Sequence, residues 1–282
     1  MAREPSIIEL GSWLKTAPGR YLLSWEMGRL DHAVTDAFGF HALQLGLPQV
    51  DALRANRMPH RWVLNDSGAV PEPLPEQPPH DDDITTLPPE VPVALACEFD
   101  ALPFPADSID LVVLPHSLEF AHDPHQVLRE VERVLRPEGR LVITGFNPAS
   151  LWGLRQRLSR VRLGMGLGHA SPYLPREGEF IGYWRLRDWL RLLGFHIESG
   201  QFGCWRPPLA TARWLERFEW MDRLGERWWP VLGAAYTLVA VKRVHGMRLV
   251  GLAKRRRKAP ARAVAVAPRA SLERREPNEG TR

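Results

Sequence analysis

The chain has 282 residues, 44% of them hydrophobic and 25% charged, with a formal net charge of +4. That is ordinary globular composition, enough for one domain of about 200–250 residues with tails, or for two small domains. Two distant cysteines (Cys97, Cys204), no signal-peptide core at the start and a longest apolar run (231–241) about half the length of a membrane span lead us to expect a reduced, cytoplasmic protein without stable membrane insertion.

Residues 1–37 read as a helical lead-in. Leu22, Leu23, Met27, Leu30, Val34 and Ala37 recur there at intervals of three or four. Residues 38–47 (FGFHALQLGL) predict a first strand ending at a glycine, 50–58 a short helix and 61–64 a short strand. Residues 69–92 are crowded with prolines and hold the acidic run Asp81-Asp82-Asp83, so an exposed loop inserted in the domain is expected. Residues 93–99 (VALACEF) predict a third strand.

The clearest signals lie between Asp100 and Pro148. An apolar run, IDLVVL, predicts a buried strand over 108–114. Asp123 offers an N-cap, Pro124 suits the first helical position, and Val127, Leu128, Val131, Val134 and Leu135 follow at helical spacing. Pro137-Glu138-Gly139 ends that helix, and RLVIT at 140–144 predicts another buried strand. Strand, helix and strand of these lengths make a βαβ unit, with parallel strands and a right-handed crossover.

Further along, 147–168 predicts a helix running into a glycine-rich loop, 185–193 a short helix, and 195–199 a strand. Residues 209–229 predict one amphipathic helix and 234–244 a last strand. Beyond about 252 the apolar pattern stops, and 253–282 reads as a basic, disordered tail. The chemistry-bearing domain is therefore expected over 38–252. Alternating strands and helices give an α/β class with a mainly parallel, doubly wound sheet, whose ligands bind at the carboxyl ends of the strands. The first strand and the one ending at Leu114 should flank that crevice.

The run Leu102-Pro103-Phe104, Asp107-Ser108-Ile109-Asp110-Leu111-Val112, Asp123-Pro124, Leu128-Arg129-Glu130 and Val134 through Gly139 resembles the class I S-adenosylmethionine-dependent methyltransferases. Within them it is most similar to the methyltransferase type 11 group, related to ubiquinone and biotin-pathway enzymes. The GFNP-x-SLWGL segment from Gly145 to Leu154 resembles a bacterial YafS-like subgroup. The resemblance implies a Rossmann-like fold with a seven-stranded, mostly parallel sheet and S-adenosylmethionine as cofactor. It implies that Glu98 meets the adenine amino group, that Phe99 faces the adenine ring, and that Asn65 or Asp66 reaches the ribose. It also implies that Leu114 through Glu119 line the methionine and acceptor side. The chain departs from the family at the glycine-rich loop. Gly46 is kept, but Gln44 stands at the acidic position and Pro48 at the second glycine. Proline fixes φ and removes a donor where the backbone should approach the cofactor.

Methyl transfer from a sulfonium needs positioning and exclusion of water, and a base only when the acceptor has a proton to lose. His116 and Glu119, just past the fourth strand, are the candidate catalytic pair. Packing of His116 at a strand end is the competing reading. His122 and His125 have weak metal-like spacing, weakened further because Asp123 is committed to a cap. Asn147 either reaches the substrate or shapes its turn. The tryptophans of the C-terminal half either line a site for a small-molecule or lipophilic acceptor or cover the sheet. Lys254 and Lys258 bracket the run KRRRK, which either contacts RNA or an anionic surface or is a solvated tail. Three functions follow: a methyltransferase, a methyltransferase-like binding protein that has lost the cofactor, and an RNA-associated protein on that frame.

Overall fold

The computed structural model describes residues 6–66, 92–164, 173–175 and 178–243. The tail expected at 253–282, and all of the 69–92 loop except Pro92, lie outside the described residues. Residues Met1–Val244 form one compact unit, so the helical lead-in belongs to the same body as the sheet.

In chain order the elements are α1 (Ser6–Leu14), α2 (Ala17–Thr35), β1 (His41–Leu45), β2 (His60–Asn65), β3 (Leu95–Ala96) and β4 (Ile109–Pro115). They continue with α3 (Ser117–Phe120), α4 (Pro124–Val134), β5 (Leu135–Phe146), α5 (Leu151–Gly164), α6 (Tyr183–Leu192) and β6 (Phe195–Gly203). The last are α7 (Ala212–Arg217), α8 (Trp220–Trp228), a short 3-10 helix over Pro230–Leu232, and β7 (Ala235–Lys242). The strands form one seven-stranded sheet in the order β3-β2-β1-β4-β5-β7-β6. The first five are parallel, and β7 runs antiparallel to both β5 and β6. The strand order reverses between β1 and β4, as the sequence pattern requires of a doubly wound sheet.

Alternation along β4 explains the two cores. Leu111 and Val113 point to the face covered by α1 and α2, with Leu10, Leu14, Leu22, Leu30 and Val34. Val112 and Leu114 point to the other face, against Val127, Leu128, Val131 and Val134 of α4 and Leu186 and Leu190 of α6. Each of these large aliphatic side chains, once fully buried, stabilises by about 1.5–3 kcal/mol. Asp123 caps α4 as expected: its Oδ1 accepts from the His125 and Gln126 N–H groups at 2.9 and 3.1 Å.

Three expectations change. First, residues 50–58 form turns rather than a helix, so β1 and β2 are joined by an irregular crossover. Asn56 fastens it by donating from Nδ2 to Val34 and Ala37 carbonyls at 2.8 and 3.2 Å. Second, the helix expected over 209–229 breaks at Phe218 and Glu219 into α7 and α8. Third, α4 ends at Val134, and Leu135 already pairs with Ile109. The chain then bulges through 136–139, with Glu138 at φ +64°, before Arg140 pairs with Leu111.

Candidate functional site

The crevice at the carboxyl ends of β1 and β4 is built on Gly46, the first residue after β1. It has φ +79°, and its N–H donates to the Leu64 carbonyl at 2.7 Å. A Cβ there would stand 3.0 Å from Ser117 Oγ and 3.5 Å from the Phe99 ring. The backbone conformation therefore favours glycine, and a side chain would have to push Ser117 aside. The Ser117 hydroxyl in turn donates to the Leu45 carbonyl and ties the turn after β4 to the end of β1. The close approach that glycine permits is here an approach by the protein's own Ser117 and Phe99.

Gln44 is fully buried and its amide organises the next eight residues. Nε2 donates to the carbonyls of Gly46 and Leu47 at 3.1 Å and of Val50 at 2.7 Å, while Oε1 accepts from the Ala52 N–H at 3.0 Å. A carboxylate has no hydrogen to give these carbonyls, so this loop conformation needs an amide at residue 44. Leu47 sits at φ +50° with its side chain in the core, and Val50 is buried beside it.

His116 follows β4 in a left-handed conformation (φ +54°), uncommon for a residue with a Cβ. Its ring is completely buried. Nδ1 lies 2.7 Å from Glu119 Oε2 and Nε2 lies 2.8 Å from Glu26 Oε1. Glu119 Oε1 accepts from the Phe146 N–H at 2.5 Å, so the cluster ties α2, the β4–α3 turn and the end of β5 together. Burial opposes a charge on His116, but the two carboxylates more than offset it and push its pKa up to about 10. Burial also raises the Glu119 carboxyl, against the opposing pull of His116 and the Phe146 N–H.

This corrects the expectation of an acceptor-facing base. At neutral pH His116 carries its proton already, both its nitrogens are occupied and no part of its ring is exposed. Glu119 has both oxygens committed within the same cluster. Glu26 escaped the sequence reading, although a signal was present: it lies three or four residues from Leu22, Leu23 and Leu30 on the apolar stripe of α2, where a carboxylate needs a partner.

The other candidates are dispersed around the crevice. Asp66 is half-buried just past β2, Glu98 is exposed two residues past β3, and Phe99 is buried with its ring against Gly46. Leu114 has its side chain in the α4 core, so only its backbone can face a ligand. Asn147 shapes its turn: Nδ2 donates to the Val231 and Gly233 carbonyls, and Oδ1 accepts from the Ala149 N–H. The His125 ring packs on Trp189, with centroids 3.8 Å apart. Among the described residues no group of three His, Cys, Asp or Glu side chains could hold a metal ion. Trp152 and Trp205 are buried, whereas Trp184, Trp214, Trp220, Trp228 and Trp229 are exposed.

The residues fit the two ends of S-adenosylmethionine differently. Asp66, Glu98 and Phe99 follow the adjacent strands β2 and β3, where the resemblance expects the adenosine side. The loop after β1 does not fit the methionine end as a glycine cradle would: the Gly46 N–H is used by Leu64, Pro48 has none, and Gln44 holds the remaining turn closed.

A family model described as a methyltransferase domain matches residues 84–143. The uncharacterized protein YafS of Escherichia coli (strain K12) is 40% identical over 107 residues, 38% of this chain and 41% of that protein. A malonyl-[acyl-carrier protein] O-methyltransferase of Halorhodospira halophila (strain DSM 244 / SL1) is 39% identical over 64 residues, 23% of this chain and 22% of its own. The ubiquinone/menaquinone biosynthesis C-methyltransferase UbiE of Hahella chejuensis (strain KCTC 2396) is 48% identical over 48 residues, 17% and 19% of the two chains. The chain thus spans less than half the length of each of these relatives. The matched residues include the whole α4 crossover and end within β5, inside a sheet whose last strand in chain order lies antiparallel between β5 and β6. Over this segment the chain is similar to S-adenosylmethionine-dependent methyltransferases, and its sheet has the seven-stranded, mostly parallel order of the class I fold.

Proposed function

We propose that the protein is an S-adenosylmethionine-dependent methyltransferase of the cytoplasm, acting on a small or lipophilic acceptor. One observation carries the reading: the methyltransferase-matched segment folds as β4–α4–β5 directly beside β1, with Asp66 and Glu98 at the ends of the two strands beyond. In this reading Asp66 takes the ribose hydroxyls, Glu98 takes the adenine amino group, and Gly46 and Phe99 form the floor. The cofactor supplies an already activated methyl group, so the chain's own work is to bind, orient and exclude water. His116 and Glu119 serve that work from inside, by fixing the turn after β4 through Glu26 and Phe146.

The Gln44-bound loop favours a second reading, a methyltransferase-like binding protein without catalysis. Thermal unfolding of the full chain with and without S-adenosylhomocysteine separates the two. Ligand that binds only the folded state adds about 2.7 kcal/mol at one hundred times Kd, which raises Tm by several degrees. An unchanged Tm at millimolar S-adenosylhomocysteine excludes the enzyme reading.

A further inference from the structure

Helix α5 leaves the sheet immediately after β5 and presents two opposed faces. Trp152 and Gln156 turn inward: Trp152 donates from Nε1 to the Arg206 carbonyl, and Gln156 holds the Tyr173 and Leu174 backbone N–H groups through Oε1. The outward face carries Leu151, Leu154, Leu158 and Val161, which are 46, 52, 56 and 55% exposed. Their spacing of three, four and three residues makes one continuous apolar stripe along about three turns. The helix (LWGLRQRLSRVRLG) holds four arginines and no acidic residue. Arg155 and Arg157 lie beside the stripe in sequence and are exposed; Arg155 stacks on the Tyr173 ring and donates to the Pro208 carbonyl.

An outward leucine stripe flanked only by cations is the pattern of a helix that lies in a membrane interface, apolar side chains in the acyl boundary and guanidinium groups among phosphates. We propose that α5 docks the protein peripherally on an anionic lipid surface. Charge complementarity selects this occupant. A second copy placed stripe to stripe would bring like-charged helices together, with no acidic residue on either to offset them. A nucleic acid would use the arginines and leave the leucines in water. None of the described helices is long and apolar enough to cross a membrane, so the attachment is one of surface contact. The surface does not depend on methyl transfer and stands or falls separately from the proposed function.

The experiment is co-sedimentation of the full chain with vesicles of phosphatidylglycerol and phosphatidylcholine, and with vesicles of phosphatidylcholine alone. We expect binding to the anionic vesicles, weakened by salt, and on the order of tenfold weaker for Leu154→Glu/Leu158→Glu, whose changes lie wholly on the exposed stripe. A second variant, K254S/R255S/R256S/R257S/K258S, should keep most of the binding. Circular dichroism melts confirm that both variants fold. The proposal is overturned by absence of binding to the anionic vesicles, or by binding that survives the leucine changes and vanishes with the basic run. It is equally overturned if the wild type is a dimer that the leucine changes dissociate while no vesicle binding is seen.

Discussion

At the scale of single residues, the protein uses polar side chains to close its own backbone where relatives of this fold bind a ligand. Gln44 is the plainest case. Replacing it by the acidic residue typical of the family removes the donor from three carbonyls and buries a charge. Gln44→Glu is expected to destabilise the fold by about 3 kcal/mol, read as a lower urea midpoint at unchanged slope. A stability equal to wild type would show that the loop is not held by the amide. His116 gives a pH dependence of definite sign. Its folded pKa is raised from 6.5 to about 10 by Glu26 and Glu119 against the cost of burial, so its contribution is complete below about 6.5 and lost as pH rises through about 10. The raised Glu119 works in the same direction. Urea denaturation between pH 6.5 and 10 should therefore show stability falling on the order of a few kcal/mol, and ring-nitrogen NMR at pH 7 should show both His116 nitrogens protonated. A flat profile with a neutral ring would contradict the buried ion cluster.

At the scale of elements, α4 is both the best-signalled piece of the sequence and a tightly packed part of the fold. Its cap and its core face contribute by different mechanisms. Asp123→Ala should cost about 1 kcal/mol through two lost cap bonds, whereas Leu128→Ala, on a fully buried side chain, should cost about 2–5 kcal/mol. Comparable losses at the two positions would mean that the helix is held by propensity rather than packing. The legibility of elements follows the same physics. β4, α4 and β5 were readable because alternation, cap and apolar spacing all agree there. The 50–58 crossover was not, because its shape is set by side-chain amides binding backbone carbonyls, Gln44 locally and Asn56 at a distance, and such bonds leave no periodic trace. The break between α7 and α8 was hidden by an apolar spacing that continues through it.

At the scale of the molecule, fold and site were legible to different depths. The doubly wound sheet followed from the alternation of strands and helices, and its seven strands, mostly parallel, from resemblance; the antiparallel direction of β7 was not foreseen. The ribose and adenine positions after β2 and β3 fell near the crevice. The presumed base at His116 did not face it, because Glu26, ninety residues earlier, turns the imidazole inward. Long-range pairing of this kind is visible in sequence only as a charged residue on an apolar stripe. The result is a doubly wound sheet whose loop after β1 is fastened from within by Gln44. Calorimetric titration of the full chain with S-adenosylmethionine tests the proposed function most directly. Saturable binding, weakened about tenfold or more by Glu98→Ala at unchanged stability, is the result expected from a lost hydrogen bond to a charged group. No heat of binding at millimolar ligand, from a chain that melts cooperatively, would contradict it.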